Sequence, residues 1–125
     1  MKNLDEADIT INSKDNNGRM PLLYAAERGH VDVVKLLLAQ SDVDVELKDY
    51  LGWTALHWPA AKGHEPVMKA LLEKGADIDP KDKAGGTPLI YAINSGAEAV
   101  IKLLLTRSAK VDFWFLPFVS ELYLL

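Results

Sequence analysis

Three histidines, His30, His57 and His64, are the side chains in this 125-residue chain best suited to chemistry at neutral pH. No two of them stand four apart, the spacing that sets two imidazoles on one helix face around zinc. His30 and His64 each follow a glycine at the start of an apolar run, so both read as framework residues that bond loop carbonyls. The acidic stretch DIDPKDKAGG at 77–86 is the nearest approach to a calcium loop. Lys81 and Lys83 fall at or beside positions where oxygen ligands are needed, and the closing bidentate Glu is missing. Asp77 and Asp82 are therefore expected to form turns. GGT at 85–87 has no following Lys and is not a phosphate loop. With no Cys, thiolate metal sites, disulfides and cysteine nucleophiles are excluded. The expectation is a chain without catalytic, cofactor or metal residues.

The elements that would position such side chains recur instead. MPLLYAAERGH at 20–30, TALHWPAAKGH at 54–64 and TPLIYAINSGA at 87–97 are variants of one segment. Pro21, Ala55 and Pro88 are 34 and 33 residues apart, and the same steps link Gly18, Gly52 and Gly85, and Gly29, Gly63 and Gly96. Asp15, Asp49 and Asp82 each precede the first glycine of their copy by three residues. The extra residue of the longer step lies between Leu38 and Asp49, where a connecting loop absorbs it.

Each copy predicts two short helices. Thr54 and Thr87 are placed to cap first helices, and Pro21 and Pro88 suit the first helical position, where a missing N–H costs nothing. Gly29, Gly63 and Gly96 supply the left-handed residue that ends that helix. The second helices, VDVVKLLL, EPVMKALL and AEAVIKLLL, are apolar over a face wide enough to pack on both sides. Thr54 and His57 can share a bond at the helix start, so copy two should have the best-capped first turn and copy one the weakest. Pro59 stands where the other copies have Ala25 and Ala92, and it must remove the bond to the Ala55 carbonyl.

The period and this TPLHxA-like core resemble ankyrin repeats over about residues 4–112. The resemblance implies an all-α repeat solenoid: stacked antiparallel helix pairs with β-hairpin-like loops, each unit stabilised mainly by its neighbours. The expected division is the end of a partial repeat at 1–14, repeats at 15–48, 49–81 and 82–112, and an apolar tail at 113–125. Leu4, Asp8, Ile9 and Ile11 keep the 34-residue register, which reads as part of a longer array or an improvised end. The tail FWFLPFVSELYLL reads as a truncated fourth unit or cap, as a sticky miscalled end, or as a membrane-surface segment. Exposed, it would promote association.

Function is expected where side chains escape the repeat constraint. By resemblance, a protein partner is held by the hairpin tips and the concave first-helix face. The tips are Asn16, Asn17 and Arg19, then Tyr50, Leu51 and Trp53, then Lys83, Ala84 and Gly86; the first helices add Glu27, Arg28, Ala61, Lys62, Asn94 and Ser95. Tyr24, Trp58 and Tyr91 share one slot and read mainly as packing between repeats. The middle tip, DYLGW, is the apolar one, and Tyr50 and Trp53 either project toward a partner or fold down over adjacent hairpins. The leading expectation is a non-catalytic protein-interaction scaffold; the alternatives are a regulatory or targeting segment of a larger multidomain enzyme and a marginal fragment of an array. A net charge of −4 with scattered Lys and Arg argues against nucleic acid. No apolar run reaches the ~20 residues of a membrane span. The absence of a visible secretory signal and of Cys suits the cytoplasm or nucleus.

Overall fold

A computed structural model describes residues 11–107. Within them the chain forms six helices: α1 Pro21–Arg28, α2 Val31–Leu38, α3 His57–Lys62, α4 Glu65–Glu73, α5 Pro88–Ser95 and α6 Glu98–Thr106. No strand occurs among the described residues. Each helix is too short to hold itself in water, so stability must come from packing.

The helices pair as α1 with α2, α3 with α4 and α5 with α6, and the pairs stack in two rows. First helices α1, α3 and α5 form one row; second helices α2, α4 and α6 form the other. The turn within each pair is local chemistry. Gly29, Gly63 and Gly96 take φ of 72–79°, and the next residue donates back to a carbonyl five earlier: His30 to Ala25, His64 to Pro59, Ala97 to Ala92. These bonds, at 2.9–3.1 Å, close the orphan carbonyls of the first helix.

Pro59 acts as its chemistry dictates. The first helix of the middle unit begins at His57, two residues later than the Pro21 and Pro88 register would place it. The ring supplies no N–H for Ala55, but the Pro59 carbonyl still accepts the turn bond from His64 at 2.9 Å. Capping departs from the expected order: only copy three has a side-chain N-cap, Thr87, while the first helices of copies one and two have none, and the Thr54 bonds lie ahead of the Leu56 N-cap. Thr54 Oγ accepts from Leu56 N–H while its own N–H donates to His57 Nδ1; Thr87 Oγ accepts from Ile90; Met20 offers nothing.

The core is a continuous apolar seam between layers, with Leu22, Leu23, Leu56, Met68, Leu71, Leu89, Ile101 and Leu104 almost fully enclosed. α4, flanked by α2 and α6, buries four residues, and α6 also buries four. α2 does not meet the expectation of two-sided packing: it buries Val34 and Leu38 only, leaving Val33 44% and Leu36 67% exposed. Among the described residues α2 has α4 on one side and no helix on the other. The expectations for Leu4, Asp8, Ile9 and the 113–125 tail fall outside the described residues.

Polar ladders run parallel to the seam. Lys14 Nζ donates to the Lys48 carbonyl at 2.8 Å, and Lys48 Nζ to the Lys81 carbonyl at 3.1 Å. Among the described residues no buried side-chain donor or acceptor lacks a partner.

Candidate functional site

Each hairpin is organised by one aspartate. Oδ1 of Asp15 accepts from the N–H groups of Asn17 and Arg19, that of Asp49 from Leu51 and Trp53, and that of Asp82 from Ala84 and Gly86, all at 2.7–3.0 Å. The backbone closes the same loop, with Asp15 N–H donating to Arg19, Asp49 to Trp53 and Asp82 to Gly86, each at 2.9 Å. The Asp therefore satisfies tip donors that no strand ladder would reach. Asp77 makes a similar turn, accepting from Asp79 N–H at 3.1 Å.

The second oxygen of each Asp takes the aromatic slot. Tyr24 hydroxyl donates to Asp15, Trp58 Nε1 to Asp49 at 3.3 Å, and Tyr91 hydroxyl to Asp82. The slot does pack between repeats, Tyr91 on Trp53 and Trp58 under Arg19, and its polar ends add a second role: each ring bolts its first helix to its own hairpin. The sequence held the signal, since an aromatic N–H or O–H donor stands nine residues after the Asp in every copy. The bonds shift the titration of Asp15, Asp82 and Tyr91. The Tyr24 hydroxyl, aided by backbone N–H groups, holds Asp15 below the usual carboxylate range. Burial pushes Asp82 upward, but Tyr91, Gly86, Trp53 and Ala84 donors outweigh it and the carboxyl titrates low. The same bond to Asp82, with burial, raises the Tyr91 phenol.

Between units the aromatics continue. The Trp53 ring lies 4.7 Å from Tyr91 of the next unit, and 4.5 Å from Trp58 and 5.5 Å from His57 of its own, centroid to centroid. Its indole N–H donates to Asp82 Oδ2 at 2.8 Å. Trp53 thus folds down over the next hairpin rather than projecting. Arg19 behaves alike: its guanidinium sits 3.9 Å over Trp58, pairs with Glu27 at 2.8 Å and lies 3.8 Å from Asp49. Among the fifteen expected contact residues, these two turn inward, and Gly86 is buried.

His57 is fully buried in this stack. Nδ1 accepts from Thr54 N–H at 3.0 Å, so the proton resides on Nε2, which donates to the Gly86 carbonyl of the next hairpin at 3.0 Å. Burial pushes its pKa below the ordinary 6.5. His64 donates through Nε2 to the Glu27 carbonyl at 3.0 Å, linking the middle unit to the first. His30 is exposed, with its α2 start uncapped by any side chain. His57 and His64 are clamps between units, and among the described residues no group of three His, Asp or Glu converges to hold a metal.

What remains outward is compact. Tyr50 is 60% exposed and Leu51 58%, although the backbone beneath them is pinned. Tyr50 N–H donates to the Asn17 carbonyl at 3.3 Å, and Lys83 N–H to the Leu51 carbonyl at 3.2 Å. One face of the Tyr50 ring lies on Gly18, where an added Cβ would come within 2.6 Å of it. Asn17, Arg19, Asp49, Tyr50 and Leu51 line a cleft of about 400 Å³. Asn16, Arg28, Lys62, Lys83, Asn94 and Ser95 are also exposed; Glu27 and Ala61 are half-buried. Among the described residues no helix is long and apolar enough to cross a membrane.

Stacked helix pairs, Asp-centred hairpins and histidine clamps between units define a repeat solenoid whose exposed tips form its open surface. The model for ankyrin repeats in three copies matches residues 1–82, and that for a single ankyrin repeat matches residues 84–113. The chain belongs to the ankyrin-repeat family. Such repeats are generally protein–protein interaction modules and typically non-catalytic. A search among curated proteins found no match.

Proposed function

We propose that this chain is a rigid scaffold that binds a protein partner through its hairpin tips and first-helix face. The observation that carries the reading is the pair Tyr50 and Leu51, 60% and 58% exposed on a backbone bonded to the tips on either side. Large apolar side chains rarely stay in water on so constrained a loop without a use. Aromatic and aliphatic groups held in place lose little entropy on binding, which is how preorganised surfaces gain affinity. Trp53 and Arg19 support the tip from below, and the contact set reduces to Asn16, Asn17, Tyr50, Leu51, Lys83 and the first-helix residues Arg28, Lys62, Asn94 and Ser95.

The test is a pull-down and affinity measurement with wild type beside Tyr50→Ala, Leu51→Ala and the double variant. Each substitution should weaken partner binding by on the order of 2 kcal/mol while helicity and melting stay unchanged. Trp53→Ala should instead lower stability and binding together, because it removes the ring contacts and the Asp82 bond. Undiminished binding by the Tyr50, Leu51 double variant would overturn the assignment of the surface.

A further inference from the structure

We infer that the surface just described selects an acidic peptide segment carrying a large apolar side chain; this rests on the tip-face reading above. The sequence is segregated in charge by layer. The hairpins and first helices, residues 14–28, 48–62 and 81–95, hold seven cations (Lys14, Arg19, Arg28, Lys48, Lys62, Lys81, Lys83) and four carboxylates (Asp15, Glu27, Asp49, Asp82), a net of +3. The whole chain is −4, so everything else sums to −7. The layer that faces a partner thus has the opposite sign to the remainder.

The four carboxylates of that layer are also committed. Each Asp accepts from its own turn and from an aromatic donor, and Glu27 pairs with Arg19 at 2.8 Å. Arg28, Lys62 and Lys83 are exposed and have no carboxylate partner among the described residues. An incoming acid would therefore meet available cations, while an incoming base would meet carboxylates already occupied. The same layer exposes Tyr50 and Leu51 beside a cleft of about 400 Å³, roomy enough for a large aliphatic or aromatic side chain. A nucleic acid backbone fits less well: it needs a run of cations, and here they are single residues separated by apolar and amide side chains.

The experiment uses the whole chain as bait for a random dodecapeptide phage library, with selected peptides then measured by fluorescence anisotropy. Selected peptides should share a net negative charge and one Leu, Ile, Phe or Tyr, and should bind more weakly as salt rises. The Lys62→Glu, Lys83→Glu variant should lose about tenfold or more in affinity for them, and Leu51→Ser a comparable factor. All three sites are exposed, and unchanged circular dichroism checks their folding. A neutral or basic consensus, no enrichment, or equal binding by the charge-reversed variant overturns the inference. Tighter binding of a twenty-residue oligo(dT) overturns it in favour of nucleic acid. Loss with Leu51→Ser but not with charge reversal sinks the acidic partner alone; no loss with Leu51→Ser sinks the tip-face reading as well.

Discussion

His57→Ala should be the most damaging single change outside the apolar seam. The substitution leaves one buried backbone donor without a partner, the Thr54 N–H, and takes one of two bonds from the Gly86 carbonyl, which keeps the Asp82 N–H at 2.9 Å. An orphaned buried group costs about 1–3 kcal/mol. Loss of the ring's contacts with Trp53 and Tyr91 adds roughly 1 kcal/mol. The total, about 2–4 kcal/mol, is a sizeable share of the ~5–15 kcal/mol that holds a typical domain. Urea titration followed by tryptophan fluorescence measures it directly, since Trp53 and Trp58 report from the same stack. Thr54→Val is the control, because it keeps the backbone donor and should cost only about 1 kcal/mol. The wild type carries a second signature. Folded His57 titrates below 6.5, so as pH falls through 6.5 the unfolded chain takes up a proton that the folded chain refuses. The histidine's contribution is complete above that pH and drains away below it, down toward the folded pKa. His57→Ala should flatten the slope between about pH 7 and 5. A cost under about 1.5 kcal/mol with an unchanged slope would refute the idea that this imidazole clamps unit to unit.

Pro59→Ala should raise the melting temperature, by about 4–8 °C for each kcal/mol recovered when the bond to Ala55 is restored; a clear drop on a thermal scan would contradict the helix-start account. Gly29→Ala and Gly96→Ala begin from the same left-handed φ, 72° and 73°, but only at Gly29 would the new Cβ meet a ring, His64 at 2.7 Å. Both should lose about 1 kcal/mol to backbone strain, with Gly29→Ala visibly worse in urea midpoint; equal costs would show that His64 yields freely. Tyr91→Phe should cost about 1–3 kcal/mol by removing a bond to an ionised carboxylate. Asp82, held low by its donors, loses its stabilising share only as pH falls through the folded pKa, below the ordinary 3.8, so acid unfolding at that end should be blunted in Tyr91→Phe.

Much of the architecture was legible because the punctuation is local. Pro21 and Pro88 open helices, the glycines at 29, 63 and 96 close them, and Pro59 shortens its own by an N–H it lacks; none of these needs a distant partner. The framework role expected of His64 also followed from repetition, though which carbonyl it reaches did not. The aromatic slot was read only in part, as packing between repeats, for a different reason. Its donors answer acids nine residues earlier, beyond any helical or strand period, and only the copy-to-copy recurrence of both residues signals the bond.

Period, helix limits and hairpin aspartates were set by the sequence alone, since each depends on backbone chemistry within a few residues. The fate of DYLGW was decided by the tertiary structure: with Asp82 and Tyr91 of the next unit in reach, Trp53 turns under, while Tyr50 rests on Gly18 and Leu51 stays out. The same is true of α2, whose apolar residues are at least as many as those of α4 but which, unlike α4, has no second helix beside it among the described residues. Burial is a property of what stands next to a residue, and in a stacked fold that neighbour lies one whole repeat away.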